Sequence, residues 1–598
     1  MSDSIDPQLL DYYQRELTWL RHAGSVFANR YPKVAKRLEL SPGESQDPHV
    51  ERLLEGFALL AARLQRRLDD DYDEFSNALL EQLYPLAIRP LPSCSIVRFE
   101  PDPSKGNLTA GYALPRDTPL FVTTTKGESI HFRTSAEVTL WPIQISEAVL
   151  LNAEETQALT GVIQARSALR LTLECQGETT DWAQLSIEHL RLHLDASPVV
   201  NAALYDLLGA HAVKVLSGAP GSQPVAHGDL PAIAGFANDE ALLPEEDGVH
   251  PGMRLLAEYF AFPEKFHFFD IPLNTSHVEG RTLYLYIVFD RAPQARLHLQ
   301  ASDIALGCTP AINLFPRTSE PLRPDGTQSE YRLIADSHRE NSVEIHSIRG
   351  MRAASPQGVR PVPAYYGSQH SLGDSSLYWH ARRISGLTPN RLGSDLMLSL
   401  VDTRFDPLLD APNYSLTAEL LCTNRHLAQS LNAGTPLSFE RPGPVARASL
   451  INPPSSQSIP QLSGESRWRL ISQLNLNHLS LVEGPKALEA LKEILSLHNL
   501  RDEASARRQI EGLQKMTCER VIAQVGEDAW RGWRNGLEVS LQLDPEHFVG
   551  NSAVLFSAVL AQFFSLYATA NRFVRTVLVN SDKEVKTWQP QAGMPLSL

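Results

Sequence analysis

Two long amphipathic helices at the start of the chain constrain its fold more than any other feature of the sequence. Their apolar residues recur at intervals of three and four, the period of a helix face that packs along a partner. In the first helix these residues are Leu10, Tyr13, Leu17, Leu20, Gly24, Phe27 and Tyr31. In the second helix they are Val50, Leu53, Phe57, Leu60, Leu64, Leu68, Tyr72, Phe75, Leu79 and Leu83. Asp47-Pro48 favours the start of the second helix, and Pro85, Pro90 and Pro92 end it.

The composition indicates a large globular chain that does not bind nucleic acid. The chain has 598 residues, of which 43% are hydrophobic and 21% charged, so it is long enough for several domains. Its formal net charge is -15, whereas a nucleic-acid-binding surface needs basic patches along the phosphate path. The five cysteines are far apart and form no CxxC pair. This pattern indicates a reducing compartment and argues against a disulfide scaffold or a zinc ribbon.

The sequence predicts neither a signal peptide nor a membrane span. Residues 1–7 contain no basic segment followed by an apolar one. The most apolar run, residues 553–568, has about sixteen residues, fewer than the roughly twenty that cross a bilayer. We therefore expect a buried helix there.

After Pro92 the pattern changes from helix to strand. Alternation of apolar and polar residues predicts strands at 95–99, 169–173, 190–194, 282–289 and 296–300, and a short helix at 251–262. Stretches rich in Pro, Gly and Ser predict loops at 217–231, 349–376 and 432–465. Towards the C-terminus we predict helices at 486–497 and 552–571 and strands at 538–544 and 573–579.

These elements predict an α+β fold with long N-terminal amphipathic helices, a strand-rich middle and a mixed C-terminal part. We divide the chain into a helical region at 1–92, a β-rich domain at 93–230, a β-rich domain with long loops at 231–465 and a mixed α+β domain at 466–598.

Several common catalytic motifs are missing from the sequence. It contains no GxxxxGK[ST] phosphate loop, no HExxH and no GxSxG. The acidic run 69–74 lacks the glycine and the final glutamate of an EF-hand and is typical of a solvated helix face. Gly373-Asp374-Ser375 resembles an esterase nucleophile block but stands in a loop rich in Pro, Gly and Ser. We therefore predict no catalytic, cofactor-binding or metal-binding residues.

One cluster of acids and histidines keeps an alternative open. It consists of Asp336, His338, Glu340, Glu344 and His346. In a strand the first three would share one face and could hold a metal ion, although arginines nearby could pair the acids instead. The alternative function is a metal-dependent enzyme or a carbohydrate-binding protein on a β-rich scaffold.

The two N-terminal helices are the predicted partner-binding elements. The first helix spans about 30 Å and has aromatic side chains around much of its circumference, and aromatic residues are enriched at interfaces. The predicted partner-binding residues are Tyr12, Tyr13, Leu17, Trp19, Leu20, Gly24, Phe27, Tyr31, Val50, Leu53 and Phe57. We expect the first helix to bind the partner and the second to serve both the partner and its own domain.

The same helices carry a family resemblance, which continues through the chain. The blocks, in order, are Tyr12-Tyr13-Gln14-Arg15-Glu16-Leu17, Asp47 to Ala58, Tyr84-Pro85, Arg89-Pro90-Leu91-Pro92-Ser93, Tyr259 to Phe266, Asn477-His478-Leu479-Ser480-Leu481 and Gly536-Leu537-Glu538-Val539. This series resembles the TssF family of type VI secretion systems, also called ImpG or VasA.

The resemblance implies that the protein has a structural role and catalyses no reaction. Proteins like TssF build the baseplate wedge of a phage-tail-like contractile injection machine, with two copies of TssF to one of TssG. The resemblance further implies contacts with TssK, with the sheath-initiating TssE and with a spike of VgrG type. It places the chain in the cytoplasm, at the inner face of the inner membrane when assembled, with the membrane reached only indirectly.

Overall fold

The computed structural model describes most of the chain. The described residues are 7–37, 47–106, 108–125, 127–177, 180–246, 249–275, 278–293, 295–356, 358–366, 377–386, 393–402, 414–440, 443–458, 464–474, 487–501, 503–524, 533–567, 573–580, 583–589 and 591–592. The chain forms two compact units, residues 1–82 with 462–472, and residues 83–461 with 473–598. The division into four regions stays a prediction.

The α-helices of the described residues are α1 Pro7–Arg30, α2 Pro32–Arg37, α3 Pro48–Leu83, α4 Ala153–Thr160, α5 Pro198–Ala210, α6 Pro251–Ala261, α7 Gly464–Leu474, α8 Ala487–His498, α9 Ala504–Glu511 and α10 Ala553–Tyr567.

The strands up to the middle of the chain are β1 Cys94–Pro101, β2 Tyr112–Leu114, β3 Pro119–Thr123, β4 Ser129–Thr134, β5 Val138–Leu140, β6 Ile143–Leu151, β7 Ser167–Cys175, β8 His189–Leu194, β9 Ala212–Gly218, β10 Val225–Ala226, β11 Ala232–Ile233, β12 Phe268–Pro272, β13 Thr282–Phe289, β14 Ile304–Ala305 and β15 Cys308–Ile312. The later strands are β16 Phe315–Thr318, β17 Tyr331–Leu333, β18 Glu344–Ser355, β19 Gly358–Pro361, β20 Tyr378–Ser385, β21 Ser394–Val401, β22 Ser415–Thr423, β23 Pro436–Phe439, β24 Val445–Leu450, β25 Leu513–Gln524, β26 Trp533–Leu543, β27 Phe573–Asn580, β28 Lys583–Thr587 and β29 Gln591–Ala592.

The strands of the larger unit form a closed barrel and several open sheets. The barrel has the order β1-β15-β4-β3-β23-β24. The open sheets have the orders β10-β9-β13-β7-β6, β11-β12-β8-β14, β16-β22-β18-β19, β17-β21-β20 and β2-β5. The C-terminal sheet has the order β25-β26-β27-β28, with β29 paired to β27. Its β26 and β27 are parallel and are joined through α10, a crossover connection.

One large apolar core joins the middle sheets to the C-terminal part of this unit. It includes Leu285 of β13, Leu256 of α6, Leu491 of α8, Val539 of β26 and Phe563 of α10. The helix α10 is buried among these elements, as its apolar sequence predicts. No helix in the described part of the chain is long and apolar enough to cross a membrane.

The α+β class is confirmed, and so are the two long N-terminal helices and most of the predicted strands. Four local predictions are wrong. The predicted loop 217–231 contains the end of β9 and all of β10, which pair with each other. Residues 296–300 alternate but pair with no described strand, so they form none. The predicted loop 349–376 contains the end of β18 and all of β19, and the predicted loop 432–465 contains β23 and β24. Proline is tolerated at the first position of a strand, which is where Pro436 stands in β23.

Candidate partner interface

The second long helix, α3, presents a row of large apolar side chains to solvent. Leu53, Phe57, Leu60 and Leu64 are 74%, 60%, 59% and 65% exposed. Their spacing of four, three and four residues places them within about 60° of arc at roughly 100° per residue. Phe75, which is 60% exposed, continues the same line further along the helix. We call Leu53, Phe57, Leu60 and Leu64 the α3 stripe.

The opposite side of α3 is buried and consists mainly of small residues. Ala58, Ala62, Ser76 and Leu80 are fully covered. Among the side chains that the structure describes in α1, α2 and α3, the buried apolar ones are Ala28, Ala35, Ala58, Ala62 and Leu80, and α7 of the same unit adds Leu470 and Ile471. A self-contained core buries its large apolar side chains, and contiguous exposed ones mark interaction sites. The α3 stripe is therefore the strongest candidate in this unit for a surface that another chain covers.

The start of α3 has the predicted cap. The Asp47 side chain accepts a hydrogen bond from the His49 backbone N–H at 2.8 Å, and Pro48 occupies the first helical position. The backbone is helical across residues 69–74, so the acidic run belongs to the helix rather than to a calcium loop. This continuity gives α3 an uninterrupted length of 36 residues.

The predicted partner-binding residues of α1 differ in exposure. Tyr12, Tyr13, Leu17, Leu20 and Gly24 are half-buried. The more exposed members are Trp19, Phe27 and Tyr31, of which Trp19 is 63% exposed. Of the α3 residues in the prediction, Val50 is half-buried, whereas Leu53 and Phe57 lie in the stripe. The structure thus places most of the regular α1 row partly inside its own unit and the largest open apolar surface on α3.

One ion pair ties α1 to α3. The Arg21 guanidinium donates to the Glu51 carboxylate, with Nε 2.9 Å from Oε1. Both side chains are less than one third exposed, so the pair is partly shielded from solvent. It fixes the two helices against each other at the N-terminal end of α3 and leaves the α3 stripe free.

A row of arginines flanks the α3 stripe. Arg52, Arg63 and Arg67 are exposed and lie on one side of the stripe at helical spacing. None of the three has an ion-pair partner among the residues that the structure describes. Gly56 lies within the arc of this row, beside the stripe, and no described heavy atom lies within 4 Å of the point where a Cβ would stand. The surface therefore combines an apolar centre, a basic edge and room for a close approach.

Sequence reasoning left out several exposed residues of this unit. Leu60 and Leu64 have the same period as Leu53 and Phe57, but periodicity does not say whether a face is covered by its own chain. Trp468 of α7 was missed altogether. Its ring lies 6.4 Å from the ring of Phe75. Only the fold brings these two together, because they are almost four hundred residues apart in the chain.

The acid–histidine cluster does not form the strand-borne metal site considered above. Residues 336–340 lie in a turn rather than a strand. Asp336 pairs with Arg317 and Glu340 with Arg332, in separate ion pairs. Glu344 is buried and pairs with Arg425 at 3.4 Å.

Burial lowers the pKa of His346 well below its ordinary value, with a further contribution from nearby arginines, Arg89 first. No group of three or more potential ligands that could hold a metal occurs in the described part. Residues 373–375 lie outside the described residues.

Comparison with protein families places the whole chain in one group. A family model described as "Type VI secretion system, TssF" matches residues 5–595. A curated relative, the type VI secretion system component TssF1 of Pseudomonas aeruginosa strain PAO1, is 32% identical over 630 aligned residues. The alignment covers 98% of this chain and 99% of the relative.

Two solved structures share the fold. A chain from the TssK-TssF-TssG baseplate subcomplex of the type VI secretion system, determined by cryo-electron microscopy, superposes with a TM-score of 0.71 over 92% of this chain and 100% of its own length. A chain from the type VI secretion baseplate complex gives a TM-score of 0.61 over 98% and 100%. Each is 24% identical to this chain, and each likeness concerns the fold.

Proposed function

The chain belongs to the TssF family of type VI secretion systems, and from this membership we propose that it is a structural subunit of the baseplate wedge. In this role it holds other subunits in place and catalyses no reaction. It acts in the cytoplasm, at the inner face of the inner membrane once the machine is assembled. One solved structure that shares its fold comes from an assembly described as a TssK-TssF-TssG baseplate subcomplex, and the other comes from a type VI secretion baseplate complex.

The exposed α3 stripe is the observation that supports this proposal most. Four large apolar side chains in a row on a helix are typical of a face covered by a partner helix. Covering such side chains contributes about 1.5–3 kcal/mol each, whereas leaving them in water favours aggregation. We propose that the covering helix belongs to the TssG-type subunit. Trp19, Phe27 and Tyr31 of α1, which are also exposed, are further residues of the proposed interface.

The wider set of partners follows from the family. We propose two copies of this chain to one TssG-type subunit, and contacts of the wedge with a TssK-type adaptor, a TssE-type sheath initiator and a VgrG-type spike. The basic row at Arg52, Arg63 and Arg67 favours a partner helix with acidic residues along one edge. Because charged rims affect the association rate more than the affinity, this row sets orientation rather than strength.

Replacing two central residues of the stripe tests the proposal. Phe57→Asp with Leu60→Asp is expected to weaken the complex with the co-expressed TssG-type protein by about 100-fold or more, because central apolar anchors dominate interface energy. The measurement is recovery of the complex on affinity purification, followed by a titration. Circular dichroism of the isolated variant should match the wild type, because both side chains are exposed.

Two double variants on α1 serve as controls for the change at Phe57 and Leu60. Gln14→Asp with Thr18→Asp adds the same charge at two exposed polar positions four residues apart and should leave the complex intact. Leu17→Asp with Leu20→Asp alters half-buried positions of the first helix. A complex that survives the change at Phe57 and Leu60 and fails only with the change at Leu17 and Leu20 would move the interface to α1. Survival of both would refute a helical interface.

A further inference from the structure

The C-terminal sheet of the larger unit ends in a long open edge. Strand β25 runs for 12 residues and pairs along one side with β26. On its other side it pairs with no strand in the part of the chain that the structure describes. Unpaired edges of this length present a row of backbone donors and acceptors, and proteins normally shorten, cover or charge them. This edge is therefore a candidate for pairing with another strand.

The end of the β25–β26 hairpin projects beyond the rest of the sheet. β27 begins at Phe573, which pairs with Gly536, so residues 533–535 of β26 have β25 as their only described neighbour. Ile522 and Trp533 lie on the same face of this projection and are 67% and 66% exposed. The open edge therefore continues into an open apolar tip.

The charged side chains on the β25 edge do not exclude every partner strand. Lys515, Thr517 and Glu519 are exposed and alternate on one face, while Met516 and Cys518 pack on the other face against the core. Lys515 and Glu519 have no ion-pair partner among the described residues. Edge charges oppose pairing with most strands, but they favour a strand that offers the opposite charge at each position.

A second copy of β25 has the opposite charge at both of these positions in one register. In antiparallel pairing, the two residues opposite each other are either both hydrogen-bonded to each other or both not. Two copies of one strand can meet this condition only if the two-fold axis that relates them passes through a residue rather than between two residues. An axis through Thr517 sets Lys515 of each copy opposite Glu519 of the other. An axis through Cys518 sets Lys515 opposite Val521. Axes through 515, 519 or 520 bring like charges face to face.

We propose that β25 pairs with β25 of a second copy of this chain, antiparallel and in the register centred on Thr517. The pairing deepens the proposed function, on which it rests, by giving the two copies of a wedge a defined contact surface. In this register Met516 of each copy lies opposite Cys518 of the other, on the core face, and the regular pairing ends at the bulge between Leu513 and Lys515. All of these residues belong to one compact unit.

The contact is expected to be weak between free chains. Cross-strand pairs contribute about 0.2–1 kcal/mol each, and a single strand pair buries less than the roughly 1,000 Å² of a stable interface. A partner subunit that holds two copies together raises their effective concentration and makes such a contact effective. The test must therefore trap the contact rather than rely on its affinity.

A cysteine on the axis traps this register. In Thr517→Cys, made with Cys518→Ala, the two introduced thiols face each other across the axis, where opposite Cα atoms are about 4.5–5.5 Å apart, within the range of a disulfide. The other cysteines are buried. Mild oxidation of the purified full-length chain is expected to yield a covalent dimer. Thr587→Cys, an exposed position on β28 at the opposite edge, is the matched control and should stay monomeric.

Charge reversal tests the register. Lys515→Glu and Glu519→Lys should each lower the yield of the cross-linked dimer at least fivefold, and the double reversal should restore it. Lys583→Glu at the opposite edge should change nothing. Equal dimer yields from Thr517→Cys and Thr587→Cys would overturn the proposal. A double reversal that does not restore the dimer yield would also overturn it. Because the complex with the TssG-type protein is measured separately through Phe57 and Leu60, failure of the β25 contact is distinguishable from failure of the proposed function.

Discussion

Glu258→Gln is expected to lower the free energy of unfolding by about 3–5 kcal/mol, because it leaves a buried ammonium without its counter-charge. Glu258 and Lys265 are each about 2% exposed and form a close ion pair. The other carboxylate oxygen of Glu258 accepts hydrogen bonds from the backbone N–H groups of Leu242 and Leu243 at 3.0 and 2.9 Å. The pair thus fastens the segment at 242–243 to α6 and the turn after it.

Two companion variants separate the charge from the packing. Lys265→Met should cost less than Glu258→Gln, since Glu258 keeps both backbone donors and has Arg254 at 4.0 Å. The double variant should be more stable than Glu258→Gln alone, because it removes the unpaired ammonium. The measurement is the urea midpoint followed by circular dichroism at pH 7.5. Additive losses in the double variant would show that the pair contributes through packing rather than charge.

Elements whose pattern is local could be predicted from the sequence. The periodicity of α3, the alternation of β13 and the apolar run of α10 each appear within one stretch of chain, and the structure has them close to the predicted bounds. Strands β23 and β24 pair with each other, but both were missed because the other neighbour of each in the barrel is remote in the chain. β24 pairs with β1, more than three hundred residues earlier, with Leu450 opposite Val97. A segment rich in Pro and Gly becomes strand when the barrel offers it a neighbour.

The candidate interface could be predicted only in part, for a physical reason. A period of three and four residues identifies an apolar face but not what covers it. Aromatic content favoured α1, yet Leu17 and Leu20 are half-buried, whereas Leu60 and Leu64 of α3 are open. The free edge of β25 was beyond sequence reasoning, because an edge is defined by which strands are absent beside it.

Acidification is expected to destabilise the larger unit steeply between about pH 6.5 and pH 4. Burial lowers the pKa of His193 to about 3 and those of His267 and His498 to about 4. In the unfolded chain these groups take up protons near pH 6.5, so the unfolded state binds more protons in this window. Stability is therefore full above pH 6.5 and falls as the pH drops, by about 1.4 kcal/mol per pH unit for each histidine.

Buried carboxyl groups act in the opposite direction. Burial raises the pKa of Asp195 to about 6 and also raises the pKa of Glu264. Burial raises the pKa of Asp206 to about 6, although its hydrogen bonds with Ser552 and the Val554 backbone N–H counter part of the shift. The folded chain therefore takes up this proton near pH 6 and the unfolded chain near pH 3.8. Asp206 adds stability as the pH falls through that interval, so it offsets one of the three histidines.

His498→Gln isolates one histidine from this balance. The Nδ1 atom of His498 lies 3.2 Å from the Tyr84 hydroxyl, and a glutamine side chain can replace that contact without taking up a proton. At pH 7.5 the variant should be less stable than the wild type by about 1–2 kcal/mol, the usual cost of an altered buried contact. Between pH 6 and pH 4.5 its stability should fall by about 1.4 kcal/mol less per pH unit, so the two curves of urea midpoint against pH should converge. Parallel curves would show that His498 binds its proton in the folded chain as readily as in the unfolded one.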